Sequence, residues 1–417
     1  MNEDNAPLRI CLVSYRSNPH SGGQGVYLNH LTAGLLALGH RVEVVTGPPD
    51  PRLESPVAIH RIQGLDLYNA DHPFRMPGFR ELMRPLNFIE WFGVSTMGFP
   101  EHFTFGLRAY RFLKKRLNRF DVIHDNQSLS YGMWMLGRRI PLVTTIHHPI
   151  TVDREIAVRS SMSSWGKLKT FRWYSFISMQ RRIAPRLGRI ITVSEAAKAD
   201  LCREFSLQEE RCEVIENGVD TNLFYPLPGI RRQTNRIIVT NSADMPLKGL
   251  VYLLKAVALV AARRDVQLVI VGSPKKNGQV VHLIHQLGLA QTVQFTGRID
   301  HERFRLEYAQ AAMAVVPSIY EGFGLPAAEA MACKVPVIST TGGALPEVVG
   351  DTGLLVPPRN VEALAVAILK LLASADLAAS LGNAGYERVL RRFTWQRAAE
   401  RTAALYRKVI DANREFR

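Results

Sequence analysis

Residues 312–330 read AMAVVPSIYEGFGLPAAEA, and this stretch decides the fold. Its first part is a short apolar run, typical of a buried parallel strand. Pro326 stands where a helix would begin, because the first helical residue needs no amide hydrogen for helical bonding. Gly322 and Gly324 free the backbone just before it, so amide N–H groups can approach an anion at the helix N-terminus. The stretch therefore predicts a strand, a diphosphate-binding loop and a helix.

Similar apolar, β-branched runs recur along the whole chain, with helical patterns between them. The runs lie at 8–14, 42–46, 57–62, 121–124, 142–146, 189–193, 237–241, 267–272, 292–295, 312–317, 335–339 and 353–357. Helical spacing of apolar residues covers 26–39, 250–263 and 361–373, and a helical tail runs from Trp395 to Arg417. Alternating strands and helices predict an α/β protein whose sheets are parallel and doubly wound.

The two series of strands are separated by residues 217–236, which hold an Asn-Gly turn, Pro226, Pro228 and Gly229 but no periodic pattern. Such a stretch predicts a linker. We therefore expect an N-terminal Rossmann-like domain over 1–218 and a second one over 219–394. We expect the C-terminal helix, 395–417, to cross back to the first domain.

Composition places the chain among globular proteins. Its 417 residues are 47% hydrophobic and 21% charged, which excludes a disordered, collagen-like or disulfide-scaffold protein. Four scattered cysteines without metal-ligand spacing favour a reducing, cytoplasmic compartment. Glu3 and Asp4 precede the first apolar run, unlike the basic start of a signal peptide.

The net charge of +15 is concentrated in two segments, 105–120 and 156–194, which contain basic but no acidic residues. The first has the pattern of a helix that packs one face on the core and leaves a solvated basic face. The second mixes bases with aromatic residues, and 88–103 adds further aromatics. Basic and aromatic residues together suit an anionic lipid surface, so we expect peripheral membrane attachment. Neither a groove-reading motif nor a known RNA-binding module is visible, so nucleic acid is not an expected partner.

Two carboxylates frame the glycine loop, Glu321 before it and Glu329 in the first turn of the predicted helix. A carboxylate next to a phosphate site suits the hydroxyl groups of a ribose or another sugar. The alternative is that Glu321 is an ordinary loop acid and Glu329 an ordinary helix-capping acid, and that neither binds a ligand.

These glutamates and several other segments resemble the family 4 glycosyltransferases of the GT-B fold, whose hallmark is two glutamates separated by seven residues. The matching segments are SGGQGVY (21–27), TIHH (145–148), TVSE (192–195), ENGVD (216–220), PLKGL (246–250), GFGLPAAEAMA (322–332) and TGGALPEVV (341–349). The resemblance covers nearly the whole chain and implies two domains facing a deep cleft. It implies a retaining enzyme that moves a hexose from a nucleotide diphosphate sugar, UDP- or GDP-linked, to a hydroxyl acceptor. The basic and aromatic segments favour a lipid-linked or membrane-embedded acceptor over a small soluble one. A non-catalytic sugar-nucleotide-binding or scaffold protein is the alternative.

By this resemblance, Glu329 holds the nucleotide ribose, Glu321 holds the hydroxyls of the transferred sugar, and His147 lies beside the reacting sugar. The resemblance implies further donor-binding residues, which are Gly22, Gly23, Ser242, Lys248, Arg298, Gly322, Phe323, Gly324 and Leu325. Lys248 is expected to neutralise the diphosphate as a point charge. Asp125, Asn126 and His148 are candidates for the acceptor side.

One position departs from the family pattern, because Ala243 stands where the family often has a phosphate-binding arginine. Either Arg298 compensates for it, or the donor is held less tightly. No two aspartates are separated by one residue, so the Asp-X-Asp metal motif of the other large glycosyltransferase fold is absent. We therefore expect neither a metal nor a cofactor, with Lys248 and the helix N-terminus stabilising the departing diphosphate.

Overall fold

The computed structural model describes residues 6–17, 23–51, 53–67, 75–159, 163–240, 245–275 and 278–415. Contacts along the chain divide it into two compact units. Unit 1 consists of Met1–Val193, Ala197–Ile215 and Trp395–Arg417. Unit 2 consists of Ser194–Ala196 and Glu216–Thr394.

Unit 1 contains a seven-stranded sheet in the order β3-β2-β1-β4-β5-β6-β7, with every neighbouring pair parallel. The strands are β1 (Arg9–Ser14), β2 (Arg41–Thr46), β3 (Ala58–Arg61), β4 (Val122–Asn126), β5 (Leu142–Thr145), β6 (Arg189–Thr192) and β7 (Cys212–Val214). Because all strands run in one direction, the loops that follow them meet at one edge of the sheet.

The helices of unit 1 pack on this sheet or on one another. They are α1 (Gly23–Ala37), α2 (Phe79–Leu82), α3 (Pro85–Ser95), α4 (Glu101–Leu113), α5 (Tyr131–Gly137), α6 (Thr151–Arg159), α7 (Ser164–Trp173), α8 (Ile177–Ile183), α9 (Glu195–Phe205, whose first two residues belong to unit 2) and α17 (Trp395–Glu415).

The C-terminal helix α17 packs closely on α1. A Cβ on Gly34 would lie 2.7 Å from the Cβ of Ala399, so only glycine allows this approach. Trp395 stacks on the ring of His30 with centroids 5.1 Å apart. The same contact buries Tyr406 completely and brings its hydroxyl to the central strand β4, where it bonds to His124.

Unit 2 contains a six-stranded sheet in the order β10-β9-β8-β11-β12-β13, also parallel throughout. Its strands are β8 (Gln233–Thr240), β9 (Gln267–Val271), β10 (Val293–Phe295), β11 (Ala311–Val316), β12 (Val337–Thr340) and β13 (Leu354–Val356). Its helices are α10 (Leu250–Ala261), α11 (Gln279–Gln286), α12 (His301–Gln310), α13 (Leu325–Ala332), α14 (Leu345–Val349), α15 (Val361–Ala373) and α16 (Ala375–Arg392).

The predicted fold class is confirmed, since each of the predicted apolar runs coincides with a strand of a parallel sheet. Two predictions were wrong in detail. Strand β7 was not predicted, and β8 begins at Gln233, inside the stretch 217–236 that was predicted to be a linker. Strand β7 has only three residues, one of them Glu213, and β8 begins with four polar residues, so neither stretch shows an apolar run in the sequence.

The first basic segment contains the core-packed helix that its apolar spacing predicts. Helix α4 buries Phe105, Ala109 and Leu113 in the core of unit 1. Arg108 forms an ion pair with Glu90, and Arg119 forms one with Glu43 at 2.9 Å. This segment is therefore a core helix and turn with a solvated, partly paired basic side.

Within the described ranges, no single helix combines the length and the apolar composition that a membrane span requires. The pair α15 and α16 meets both criteria together, but the two helices are bent by 103° relative to each other.

Candidate functional site

The predicted site residues fall into two groups, one in each unit. In unit 2 they gather around the loop that joins β11 to α13. Two tight contacts fix this loop against the turn that carries Lys248. The Ile319 amide donates to the Leu247 carbonyl at 2.8 Å. Gly249 has φ +67°, and a Cβ there would lie 1.9 Å from the carbonyl oxygen of Pro317, so glycine is required.

A second pair of glycines holds the backbone of Glu321. A Cβ on Gly343 would lie 2.2 Å from the Glu321 carbonyl oxygen, and one on Gly342 would lie 2.3 Å from that of Ile319. The Ala344 amide donates to the Glu321 carbonyl at 2.9 Å. Gly342 and Gly343 thus allow the backbone of their loop to contact the backbone of the loop that carries Ile319 and Glu321.

These contacts bring Lys248 and Glu321 together, although 73 positions separate them in the chain. Lys248 Nζ donates to Glu321 Oε1 at 2.7 Å, and Ser318 Oγ donates to the same oxygen at 2.7 Å. The two charged side chains retain 26% and 12% of their exposure. Among the described residues nothing donates to Glu321 Oε2, so that oxygen can accept from a ligand hydroxyl while the pair persists.

Helix α13 begins beside this pair. Gly324 precedes it with φ +103°, a conformation that favours glycine. No group in the described parts of the chain accepts a hydrogen bond from the amides of 322–325. Ser194 Oγ donates to the Gly322 carbonyl at 2.7 Å, and Phe323 packs its ring on Phe393 with centroids 5.5 Å apart. The loop therefore presents its N–H groups while its other groups are occupied, which suits an anion.

Glu329 is the fifth residue of α13, so it lies in the second helical turn. The sequence had predicted it in the first turn. Burial raises the pKa of its carboxyl to about 7, and the positive charge of Lys248 opposes this rise. No described side chain or amide donates a hydrogen bond to it. A partly buried carboxyl without donors is an acceptor for hydroxyl groups, as a ribose diol would supply.

The remaining predicted donor residues are less informative. Arg298 is exposed in the loop after β10 and makes no ion pair with a described residue. Gly23 begins α1, and a Cβ there would meet nothing within 4 Å. Gly22, Ser242 and Ala243 lie outside the described residues.

In unit 1 the predicted residues lie at the carboxyl ends of β4 and β5, which are neighbours in the sheet. Asp125 and Asn126 are the last residues of β4, and His147 and His148 follow β5. Asn126 Nδ2 donates to the Gln24 carbonyl at 3.1 Å, which directs its Oδ1 towards His147. His147 Nε2 lies 2.9 Å from that oxygen and must donate to it. The bond fixes the imidazole as the Nε2–H tautomer, so Nδ1 is an acceptor, and no described group donates to it.

Burial, together with the nearby rings of His148 and His124, lowers the pKa of His147 to about 3. The imidazole is therefore neutral at physiological pH. It can accept a hydrogen bond from a sugar hydroxyl through Nδ1, but it cannot supply a positive charge to a transition state.

The acceptor-side candidates have defined places. Asp125 is fully buried, and its carboxylate accepts from the amides of Ser128 and Leu129, both at 3.1 Å. It therefore shapes the loop after β4. His148 Nε2 lies 2.7 Å from Asp153 Oδ2. Asn126, as described above, orients His147.

Sequence reasoning missed two groups behind His147. Gln127 Oε1 accepts from the His147 amide at 2.9 Å, and its Nε2 donates to the His148 carbonyl at 3.3 Å. Tyr27 packs edge-on against the His147 ring with centroids 4.7 Å apart.

Tyr27 is the end of a buried polar chain. Its hydroxyl lies 3.0 Å from Thr145 Oγ1, which lies 2.7 Å from His124 Nε2, and His124 Nδ1 bonds to the Tyr406 hydroxyl. The only signal in the sequence is His124 at the end of the predicted strand DVIH. A strand histidine needs partners when it is buried, but the sequence does not say which.

Among the described residues there is no cluster of three or more His, Cys, Asp or Glu side chains that could hold a metal ion. The independence from metals that we inferred from the sequence stays a prediction. All four cysteines are free, and three of them are buried.

Comparison with known proteins places both units among sugar-transferring enzymes. Residues 21–223 match the model of Glycosyltransferase Family 4, and residues 229–388 match that of Glycosyl transferases group 1. The chain is 43% identical to the MMP alpha-(1->4)-mannosyltransferase of Mycolicibacterium hassiacum, over 97% of this chain and 98% of that protein.

Two solved structures share the fold over nearly the whole chain. Sucrose-phosphate synthase from Thermosynechococcus elongatus has a TM-score of 0.75 and 28% identity, with 97% of this chain and 100% of that one covered. Anabaena Alr3699/HepE, solved in complex with UDP-glucose, has a TM-score of 0.69 and 19% identity, with 96% and 100% covered.

Proposed function

Because this chain belongs to the group 1 glycosyltransferases and has the GT-B fold, we propose that it transfers mannose from a nucleotide diphosphate sugar, UDP- or GDP-linked, to a saccharide hydroxyl. The sugar and an α-(1→4) linkage are suggested by the 43% identical relative, which is named for that reaction. A nucleotide sugar as donor is suggested by the UDP-glucose bound in a protein of the same fold.

The observation that carries the donor assignment is the ion pair of Lys248 and Glu321 beside the amides of 322–325. A diphosphate placed at these amides would meet the positive charge of Lys248 and the N-terminal end of α13 together. Glu321 holds the ammonium group in place, and its Oε2 accepts from a hydroxyl of the transferred sugar. One ion pair would thus contact both the departing diphosphate, through Lys248, and the transferred sugar, through Glu321.

Glu329 is assigned to the ribose. Its carboxyl is half protonated near neutral pH, and two hydroxyl donors would favour the ionised form and lower its pKa. Binding of the nucleotide therefore releases a fraction of a proton when the pH is near 7.

The reaction exchanges one C–O bond for another. The bond from the sugar C1 to the β-phosphate oxygen breaks, the acceptor oxygen bonds to C1, and the acceptor proton passes to the departing phosphate. An α-linked donor that gives an α-linked product requires retention, with attack from the face that the phosphate leaves. Such a route needs no protein nucleophile, and Lys248 with the α13 amides stabilises the charge on the phosphate.

His147 acts as a neutral, oriented acceptor in this scheme. Its Nδ1 would receive a hydrogen bond from a hydroxyl of the transferred sugar, while Asn126 and Gln127 hold the ring and the backbone. Catalysis by this residue therefore consists of positioning.

The test is a transfer assay with GDP-mannose, UDP-mannose and the corresponding glucose donors, and an α-(1→4)-linked mannose oligosaccharide as acceptor. We expect one mannose donor to give an elongated product whose new linkage is α-(1→4) by NMR. The Glu321→Gln variant is the matched control, since it should bind nucleotide diphosphate but turn over slowly. Thermal stabilisation by a nucleotide sugar without transfer or hydrolysis would favour the alternative of a binding protein.

A further inference from the structure

Helices α2, α3 and α7 of unit 1 expose an unusual number of large apolar side chains. Six of them, on these helices or directly after α2, are Phe79 (81%), Met83 (70%), Phe88 (49%), Phe92 (53%), Trp165 (63%) and Leu168 (56%). We call these six residues the aromatic surface. Large contiguous apolar patches are rare on monomeric proteins and mark contact sites.

The pattern along the helices shows that this exposure is systematic. Helix α3 buries Leu86, Glu90 and Gly93 and turns Phe88 and Phe92 outward, where a surface helix would carry polar residues. Helices α2 and α7 bury no residue at all. Helix α3 thus has an apolar face towards the outside, and α2 and α7 leave large apolar side chains exposed.

The ends of two helices that carry the aromatic surface contact each other. Arg172, near the end of α7, donates to Thr96 Oγ1 just after α3 at 2.7 Å. Trp173 stacks on Phe99 with centroids 5.1 Å apart. The C-terminal ends of α3 and α7 are therefore fixed against each other.

Basic side chains accompany these apolar ones along the chain. Arg80, Lys167 and Lys169 on the same helices, and Arg84 between α2 and α3, are exposed, and none forms an ion pair with a described residue. The nearby acids are engaged, since Glu81 pairs with Arg75 at 2.6 Å and Glu90 is buried with Arg108. The segments that carry the aromatic surface therefore also carry positive charge that no described acid compensates.

From this combination we propose that the aromatic surface attaches unit 1 to an anionic lipid membrane. Apolar side chains insert among the acyl chains while the bases contact the headgroup phosphates. A second copy of the chain fits less well, because a symmetric contact would bring Arg80, Arg84 and the two lysines of one copy against those of the other.

The position of the aromatic surface in the chain relates this attachment to the acceptor side of unit 1. Helices α2 and α3 follow β3, and α6 and α7 follow β5, so both parts rise from the sheet edge that carries Asn126 and His147. An acceptor held at or near the membrane would thus reach the edge where we place the acceptor side. The attachment itself does not depend on the proposed function.

The experiment is co-flotation of the full chain with vesicles of phosphatidylcholine, alone or mixed with phosphatidylglycerol. It needs neither donor nor acceptor, so its failure and that of the transfer assay are separable. We expect binding to the anionic vesicles only. Salt should weaken it, because the Debye length falls from about 30 Å at 0.01 M to about 3 Å at 1 M salt.

Two variants separate the forces. Lys167→Gln with Lys169→Gln should weaken binding about thirtyfold at low salt, which corresponds to about 1 kcal/mol for each lysine. Trp165→Ser with Phe92→Ser should weaken it at every salt concentration. The matched control is Lys255→Gln with Lys370→Gln, which removes the same charge from exposed positions of α10 and α15 in unit 2.

Equal weakening by the control lysines would overturn the proposal, since the overall charge of +15 would then explain the binding. The proposal would also be overturned if the wild-type protein did not float with the anionic vesicles at low salt. A third result would assign the surface to a second copy of the chain. In that case the wild type does not float with vesicles and self-associates in sedimentation, whereas the Trp165→Ser, Phe92→Ser variant is monomeric.

Discussion

Glu329→Gln should stabilise the ligand-free protein at pH 8 and have almost no effect near pH 4. Burial raises the pKa of the Glu329 carboxyl from its ordinary value of 4.5 to about 7. Between these values the unfolded chain has lost the proton and the folded chain keeps it, so the wild type becomes less stable as the pH rises. Above pH 7 the loss is complete.

The size of the effect follows from the size of the shift. A rise of about 2.5 in pKa corresponds to about 3 kcal/mol, because one pKa unit is about 1.4 kcal/mol. In a domain of about 150–250 residues, 1 kcal/mol moves the melting temperature by about 2–4 °C. Glutamine, which has the same shape and no charge, should therefore raise the melting temperature at pH 8 by about 6–12 °C.

The assay is thermal melting of wild type and variant at each pH from 4 to 8, without and with nucleotide diphosphate. Glu101 also has a pKa of about 7, raised by burial, but it is common to both proteins and cancels in the difference. With nucleotide at 100 times its dissociation constant, only the wild type should gain the expected stabilisation of about 2.7 kcal/mol. A difference between the two melting curves that does not change with pH would refute the reasoning. So would nucleotide stabilisation of the glutamine variant equal to that of the wild type.

Four further outcomes are expected. Lys248→Met should weaken binding of a nucleoside diphosphate by about 10- to 100-fold and leave the nucleoside unaffected in calorimetry, since only the charge-assisted phosphate contact is lost; equal weakening of both would make Lys248 structural. Gly249→Ala should destabilise the protein by more than about 2 kcal/mol in denaturant titration, because of its positive φ and the contact with Pro317; an unchanged midpoint would contradict that contact. The pH profile of kcat/KM should keep its shape in His147→Gln, because the pKa of His147 is already about 3; loss of an inflection near pH 6.5 would show a charged histidine. Activity should survive EDTA, and an absolute need for Mg²⁺ or Mn²⁺ would overturn the expectation of a metal-free reaction.

The strands could be predicted from the sequence because in a doubly wound sheet they are buried on both faces and read as unbroken apolar runs. Strand β4 is an instructive case, since it is buried along its whole length although it carries His124, Asp125 and Asn126. Its apolar start was sufficient to predict it. Strand β7, with the sequence CEV, offers too little apolar sequence for any such signal.

The site was predictable only as separate segments. The glycines and glutamates of 321–329 are close in the chain, so a joint role for them could be predicted from the sequence. The pair of Lys248 and Glu321 depends on a close approach between Gly249 and Pro317 that no local pattern encodes. The buried chain from Tyr406 to Tyr27 joins residues hundreds of positions apart, and only the return of α17 to unit 1 brings them together.

That return also dictates an order of events when the protein is made. Unit 2 is almost wholly one continuous stretch, whereas the apolar core of unit 1 around Leu28, Leu31 and Leu35 is completed by Ala399 and Tyr406. The ribosome therefore delivers the last part of the first unit only after the whole second unit. Until then the nascent chain displays an open apolar groove along α1, a surface that chaperones bind. A message cut short before Trp395 yields a protein that keeps this groove open permanently, and cellular proteases should remove it even though every residue of unit 2 is present.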